Sequence, residues 1–132
     1  MCGIAGIYNY HSQSELQPEQ SLKKMLSVIQ HRGPDESGIY LGENMGIGSV
    51  RLSIIDVSSG QQPLSDVSGT YWIVYNGEIF NYKELRNDIE KQGIRLKTHS
   101  DTEVVVQMFA MYGAKCLEFF NGQFAFSIWN KT

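Results

Sequence analysis

The chain has 132 residues, 42% of them hydrophobic and 19% charged, with a formal net charge of -3. These values describe one globular domain with enough chain to bury a core, and they exclude disorder as the default. Lysines and arginines are scattered, no apolar run is long enough to span a membrane, and the first residues carry no basic-then-apolar leader. Neither nucleic acid nor a membrane is therefore an expected partner, and the expected compartment is a reducing cytoplasm.

Residues 4–8 are a short apolar segment of strand length, and 11–17 read as a loop. Pro18 suits the first turn of a helix, in which Leu22, Met25, Leu26 and Ile29 recur at helical spacing. Gly33-Pro34 should close it. Residues 38–41 and 46–53 read as strands joined by a turn at Glu43-Asn44, and 56–70 as loop. Residues 70–75 read as a strand that Asn76-Gly77 ends with a turn. Asn81 or a neighbour should cap a helix carrying Leu85 and Ile89 and closed by Gly93. Residues 94–97 read as a brief strand. Ser100 to Glu103 has the spacing of a capping box ahead of a helix ending at Gly113. Residues 122–129 alternate, with Phe124, Phe126 and Ile128 on one face. Strands and helices in this order suggest layered α and β rather than a simple βαβ series.

Cys2 is the residue with the most chemistry to offer. Removal of Met1 would leave its thiol and a free α-amine on one residue. An amine with a reference pKa of about 7.7–8.0 can take the proton that a thiol near 8.5 gives up. The alternative is a cysteine merely buried near the start of a strand. Asn76-Gly77 can supply two donors to an oxyanion, through the side-chain amide and a closely approached backbone N–H. It is also an ordinary turn pair. Arg51, in an apolar stretch, needs a carboxylate partner, either in the protein or on a ligand. Asp101, in a first helical turn, could hold an ammonium group or simply complement the helix dipole. Nothing places His31 against Cys2, so no Cys–His pair is assigned. His11, His31 and His99 lie far apart and no CxxC pair occurs, so no metal site is expected. Cys116 reads as core.

Six stretches together resemble the class II glutamine amidotransferases, and most of all the glutaminase domain of glutamine-hydrolysing asparagine synthetases. They are MCGIAGIY at 1–8, HRGPDESGIY at 31–40, RLSIIDVSSGQQPL at 51–64, YNGEIFNYKELR at 75–86, SDTEV at 100–104 and NGQFAFSIW at 121–129. The resemblance runs end to end and in family order. It implies an α+β fold, a four-layer α/β/β/α sandwich of the N-terminal nucleophile hydrolase type, with 1–132 as a domain incomplete at its C-terminus. It matches Cys2 to the nucleophile, and Asn76 and Gly77 to the oxyanion hole. Arg51 matches the residue that holds the substrate α-carboxylate, and Asp101 the one that holds its α-ammonium. Glu78 and the backbone around Ile54 and Ile55 match the rest of the glutamine pocket.

The implied reaction is hydrolysis of L-glutamine through a γ-glutamyl thioester, with no cofactor in this domain. The implied parent enzyme also has a synthetase domain that uses ATP and Mg2+ to amidate aspartate, with a homodimer left open. Two other readings stand beside it: an amidotransferase serving another acceptor, and an inactive truncated module that binds glutamine or a partner.

Overall fold

The computed structural model describes residues 2–10, 17–52 and 60–132. The elements are β1 (Gly3–Tyr8), α1 (Pro18–Val28), β2 (Glu36–Leu41), β3 (Met45–Arg51), β4 (Leu64–Ser65), β5 (Tyr71–Ile79), α2 (Tyr82–Lys91), α3 (Asp101–Tyr112) and β6 (Gly122–Asn130). Short 3-10 turns follow α1 at Gln30–Arg32 and α3 at Gly113–Phe119. Two antiparallel three-stranded sheets result, in the orders β1-β3-β2 and β4-β5-β6.

Three apolar clusters define four layers. Leu22 and Leu26 of α1 pack with Val50, Ala5, Ile7 and Ile39 on the outer face of the first sheet. Burying each such leucine contributes about 1.5–3 kcal/mol. Gly48 makes the approach feasible, because a Cβ there would lie 2.8 Å from Leu26 Cδ1. Between the sheets lie Met45, Ile47 and Val74, with Ile4, Tyr40, Trp72 and Trp129 around them. Tyr40 stacks on Trp72 with ring centroids 4.1 Å apart and planes at 12°. On the far side, Ile73, Tyr75 and Ile79 of β5 meet Leu85 and Ile89 of α2 and Val104, Val105 and Met108 of α3. This is the expected α/β/β/α sandwich.

Several local expectations change. Asn76-Gly77 does not end its strand: β5 runs to Ile79, and these residues pair with Ala125 and Phe124 of β6. A local turn signal yields here to nine paired positions along one ladder. Residues 94–97 are not a strand, and Glu103 takes the amides at the end of that segment. Its carboxylate accepts from Lys97 N at 2.8 Å and Thr98 N at 2.6 Å. The capping box is thus one-sided: Ser100 Oγ accepts from Glu103 N at 3.3 Å, while the Glu103 side chain reaches further back.

Asn81 precedes α2 without capping it through its side chain. Its amide instead ties Phe119 O and Asn121 N, the segment that leads into β6. Within 56–70, Leu64–Ser65 forms β4, and Met25 of α1 is 40% exposed rather than core. Cys2 and Cys116 are both free thiols, Cys116 buried as expected. Among the described residues, no helix is long and apolar enough to cross a membrane, and no three His, Cys, Asp or Glu side chains cluster as metal ligands.

Candidate active site

Cys2 stands just ahead of β1 at one end of the sandwich, half-buried. Its Sγ is 3.9 Å from the carbonyl oxygen of Leu52, the residue after β3. Its own carbonyl accepts from Arg32 Nε at 3.2 Å, which ties the start of the chain to the turn after α1. β1 runs antiparallel to β3 with Gly3 opposite Val50, so Cys2 falls beside the end of β3, where Arg51 sits.

Arg51 is 5% exposed, and its Nη1 donates to Glu36 Oε2 at 3.0 Å. Of the two partners expected for it, the structure supplies the internal carboxylate, and the guanidinium also borders the cavity described below. The second sheet faces it with Asn76, Gly77 and Glu78 on β5. Gly77 is demanded by close approach: a Cβ there would lie 2.3 Å from Gln123 O and 2.6 Å from Phe124 Cα. Asn76 Oδ1 is a buried polar atom without a protein partner, one of two among the described residues. A buried amide oxygen without a partner is an acceptor open to a donor on a ligand.

Asp101 opens α3 and is 5% exposed. Its Oδ2 accepts from the Tyr75 phenol at 2.8 Å and from Ile79 N at 3.3 Å. Burial pushes its carboxyl above the usual range. Hydrogen bonds from Tyr75, Ile79 and the first-turn amides pull it back only in part. Burial, and then the neighbouring Asp101 carboxylate, push the Tyr75 phenol far up, so it stays a donor. Burial likewise pushes up the Cys116 thiol, away from the cleft.

These side chains converge on one cavity of about 210 Å³. Cys2, Arg51, Asn76, Gly77, Glu78 and Asp101 all line it. Ile54 and Ile55, also expected in the pocket, lie outside the described residues, as does Met1. His31 is exposed and not among the lining residues. Seven further residues line it without having been assigned a site role from the sequence, Gln62, Tyr75 and Thr102 among them. A tyrosine immediately before Asn-Gly was a visible signal; Gln62 and Thr102 offered none. A cation and an anion thus border the same space as a thiol and an amide whose oxygen has no partner. Such a cavity suits a zwitterionic α-amino acid whose side chain presents an acyl carbon to sulfur.

Comparison with known proteins shows the family to which the chain belongs. The family model described as a glutamine amidotransferase domain matches residues 1–132. Asparagine synthetase [glutamine-hydrolyzing] 1 of Bacillus subtilis (strain 168) is 46% identical over 133 residues, which cover 100% of this chain and 21% of that protein. Amidase chry2 of Gibberella zeae is 35% identical over 143 residues, 100% of this chain and 21% of that protein. The solved structure of glutamine phosphoribosylpyrophosphate amidotransferase from B. subtilis superposes with a TM-score of 0.76 at 22% identity, covering 98% of this chain and 35% of that one. That likeness is one of fold. The chain spans about a fifth of the length of the curated relatives it matches.

Proposed function

Because the chain belongs to the glutamine amidotransferase domain family, we propose that its cleft hydrolyses the side-chain amide of L-glutamine and releases ammonia. The observation that carries this reading is the convergence of Cys2, Arg51, Asn76 and Asp101 on one cavity. Arg51 takes the substrate α-carboxylate and Asp101 its α-ammonium, which leaves the amide end toward Cys2. Glu78 lines the same pocket.

With Met1 removed, the α-amine of Cys2 takes the thiol proton as sulfur attacks the amide carbon. The tetrahedral oxyanion is held by the Asn76 amide and the Gly77 N–H. The amine returns the proton to the leaving nitrogen, ammonia departs and a γ-glutamyl thioester remains. Water, deprotonated by the same amine, then releases glutamate. This chemistry is complete without a cofactor. A free thiol as nucleophile suits a reducing cytoplasm.

In the longer protein, ammonia would pass to a synthetase domain that uses ATP and Mg2+ to amidate aspartate, the reading favoured by the asparagine synthetase relatives. The alternative is the same hydrolysis with another acceptor; a relative over the whole of this chain, Amidase chry2 of G. zeae, does not carry the asparagine synthetase name.

Treatment with a glutamine-mimicking diazoketone, followed by intact-mass analysis, tests the reading. Loss of Met1 with one adduct on Cys2, suppressed by glutamine, is the expected result. A processed and folded chain that takes no adduct would overturn it.

A further inference from the structure

The ladder between β4 and β5 stops at Leu64 opposite Ile73. Two residues further on, Gln62 would have faced Tyr75, and its side chain does the work of the missing strand. Gln62 Oε1 accepts from Tyr75 N at 2.7 Å. Its Nε2 donates to Thr102 Oγ1 at 3.3 Å, in the first turn of α3. Its backbone carbonyl accepts from Ser49 Oγ at 3.4 Å, on the first sheet. Tyr75 in turn donates its phenol to Asp101 Oδ2 at 2.8 Å, and Asp101 is joined to Thr102 by the chain. Gln62, Tyr75, Asp101 and Thr102 therefore form a closed circuit, and all four are less than a tenth exposed.

We propose that Gln62 is a positioning residue, which sets the aim of Asp101 at the ammonium of glutamine by locking β5 to the first turn of α3. This inference rests on the glutaminase reading above. A side-chain amide is the group for the task, since one planar unit offers an acceptor to the strand and a donor to the helix. Without it, a buried strand amide and the Thr102 hydroxyl each lose a partner, and α3 loses its link to the strand at the residue next to Asp101.

The test is steady-state glutamine hydrolysis by the chain and by Gln62→Met and Tyr75→Phe, singly and combined. Methionine fills the space of Gln62 without either bond. Each single change should raise KM for glutamine about tenfold while kcat stays within about twofold, as for a lost binding contact. Combined, the changes should raise KM by less than the product of the two, because they open the same circuit. Alkylation of Cys2 by iodoacetamide, which has no α-amino group to be held, should keep its rate in all variants. An unchanged KM, equal losses in kcat, or fully multiplicative effects would each overturn the proposal. Should Gln62→Met fail to fold, Thr102→Val takes its place, since it removes the hydroxyl that accepts from Gln62 Nε2 and leaves the bond to Tyr75 N intact; it should raise KM with the same pattern. A wild-type chain that leaves glutamine untouched would instead refute the glutaminase reading, and this inference with it.

Discussion

Glu36 and Arg51 stand opposite each other on β2 and β3, and the ion pair between them, at 3.0 Å, follows directly from that register. The guanidinium is 6% exposed and the carboxylate 28%, so the arginine has more to lose when the pair is broken. Glu36→Ala should lower stability by about 2 kcal/mol, short of the fully buried case because Glu36 is partly wet. Urea midpoints measure this. A loss of a few tenths of a kcal/mol would assign the pair to the surface class.

Asp101 carries a trade between binding and stability. Its carboxyl is raised by burial, so the folded state disfavours the ionised form. For an acid shifted in this direction, stability is greatest below the ordinary aspartate pKa and is lost as pH rises through the raised one. Asp101→Asn keeps an oxygen for Tyr75 and Ile79 but sheds the charge. At neutral pH it should therefore raise the melting temperature while raising KM for glutamine about tenfold or more. In the wild type, KM should climb on acidification at a pH above the usual aspartate range. A lower melting temperature in Asp101→Asn would show that its hydrogen bonds outweigh its desolvation.

Gly77→Ala should cost about 1–3 kcal/mol, the range for overpacking a fitted site. The obstruction is backbone, Gln123 O and Phe124 Cα, which cannot rotate away. Thermal melts check it, and glutamine hydrolysis should fall in parallel because the same residue lines the cleft. A neutral substitution would mean that β6 moves readily against β5.

Asp66 has the opposite sign to Asp101. Burial pushes its carboxyl up, but hydrogen bonds from Ser68, Tyr71 and Thr70 outweigh that and hold it below the usual range. Its contribution is present above the ordinary aspartate pKa and is lost as pH falls through the depressed one. Asp66→Asn should be less stable than the wild type by about 1–2 kcal/mol at pH 7, with the gap closing below about pH 4. Urea midpoints at pH 7 and pH 3 decide it, and a constant gap would refute the role of charge.

The layered fold and the cleft-lining Cys2, Arg51, Asn76, Gly77, Glu78 and Asp101 were legible because six stretches in family order carried the resemblance; Cys2, Arg51 and Asp101 also gave local signals, each with a bland alternative. A cysteine follows the first methionine, an arginine interrupts an apolar stretch, and an aspartate begins a helix. What escaped depends on partners distant in the chain. Asn76-Gly77 has the form of a turn, and only the arrival of β6, some 45 residues later, makes it strand interior. Residues 94–97 are not a strand, and the Lys97 and Thr98 amides bond the carboxylate of Glu103 instead of a neighbouring strand. Gln62 is one of two adjacent glutamines in a polar stretch, and nothing in its neighbours foretells that its amide completes a ladder on one side and pins a helix on the other.

The two sheets divide the chain nearly at its middle: residues 3–51 build one and 64–130 the other. The thiol and guanidinium belong to the first half, and Asn76, Gly77 and Asp101 to the second. Neither half alone has an active centre, so a nascent or half-folded chain carries a disarmed thiol. On the proposed glutaminase reading, the substrate is a mortar as well as a reactant. Glutamine bound across the seam would grip both halves at once, and by mass action its abundance would tighten the joint on which its own consumption depends.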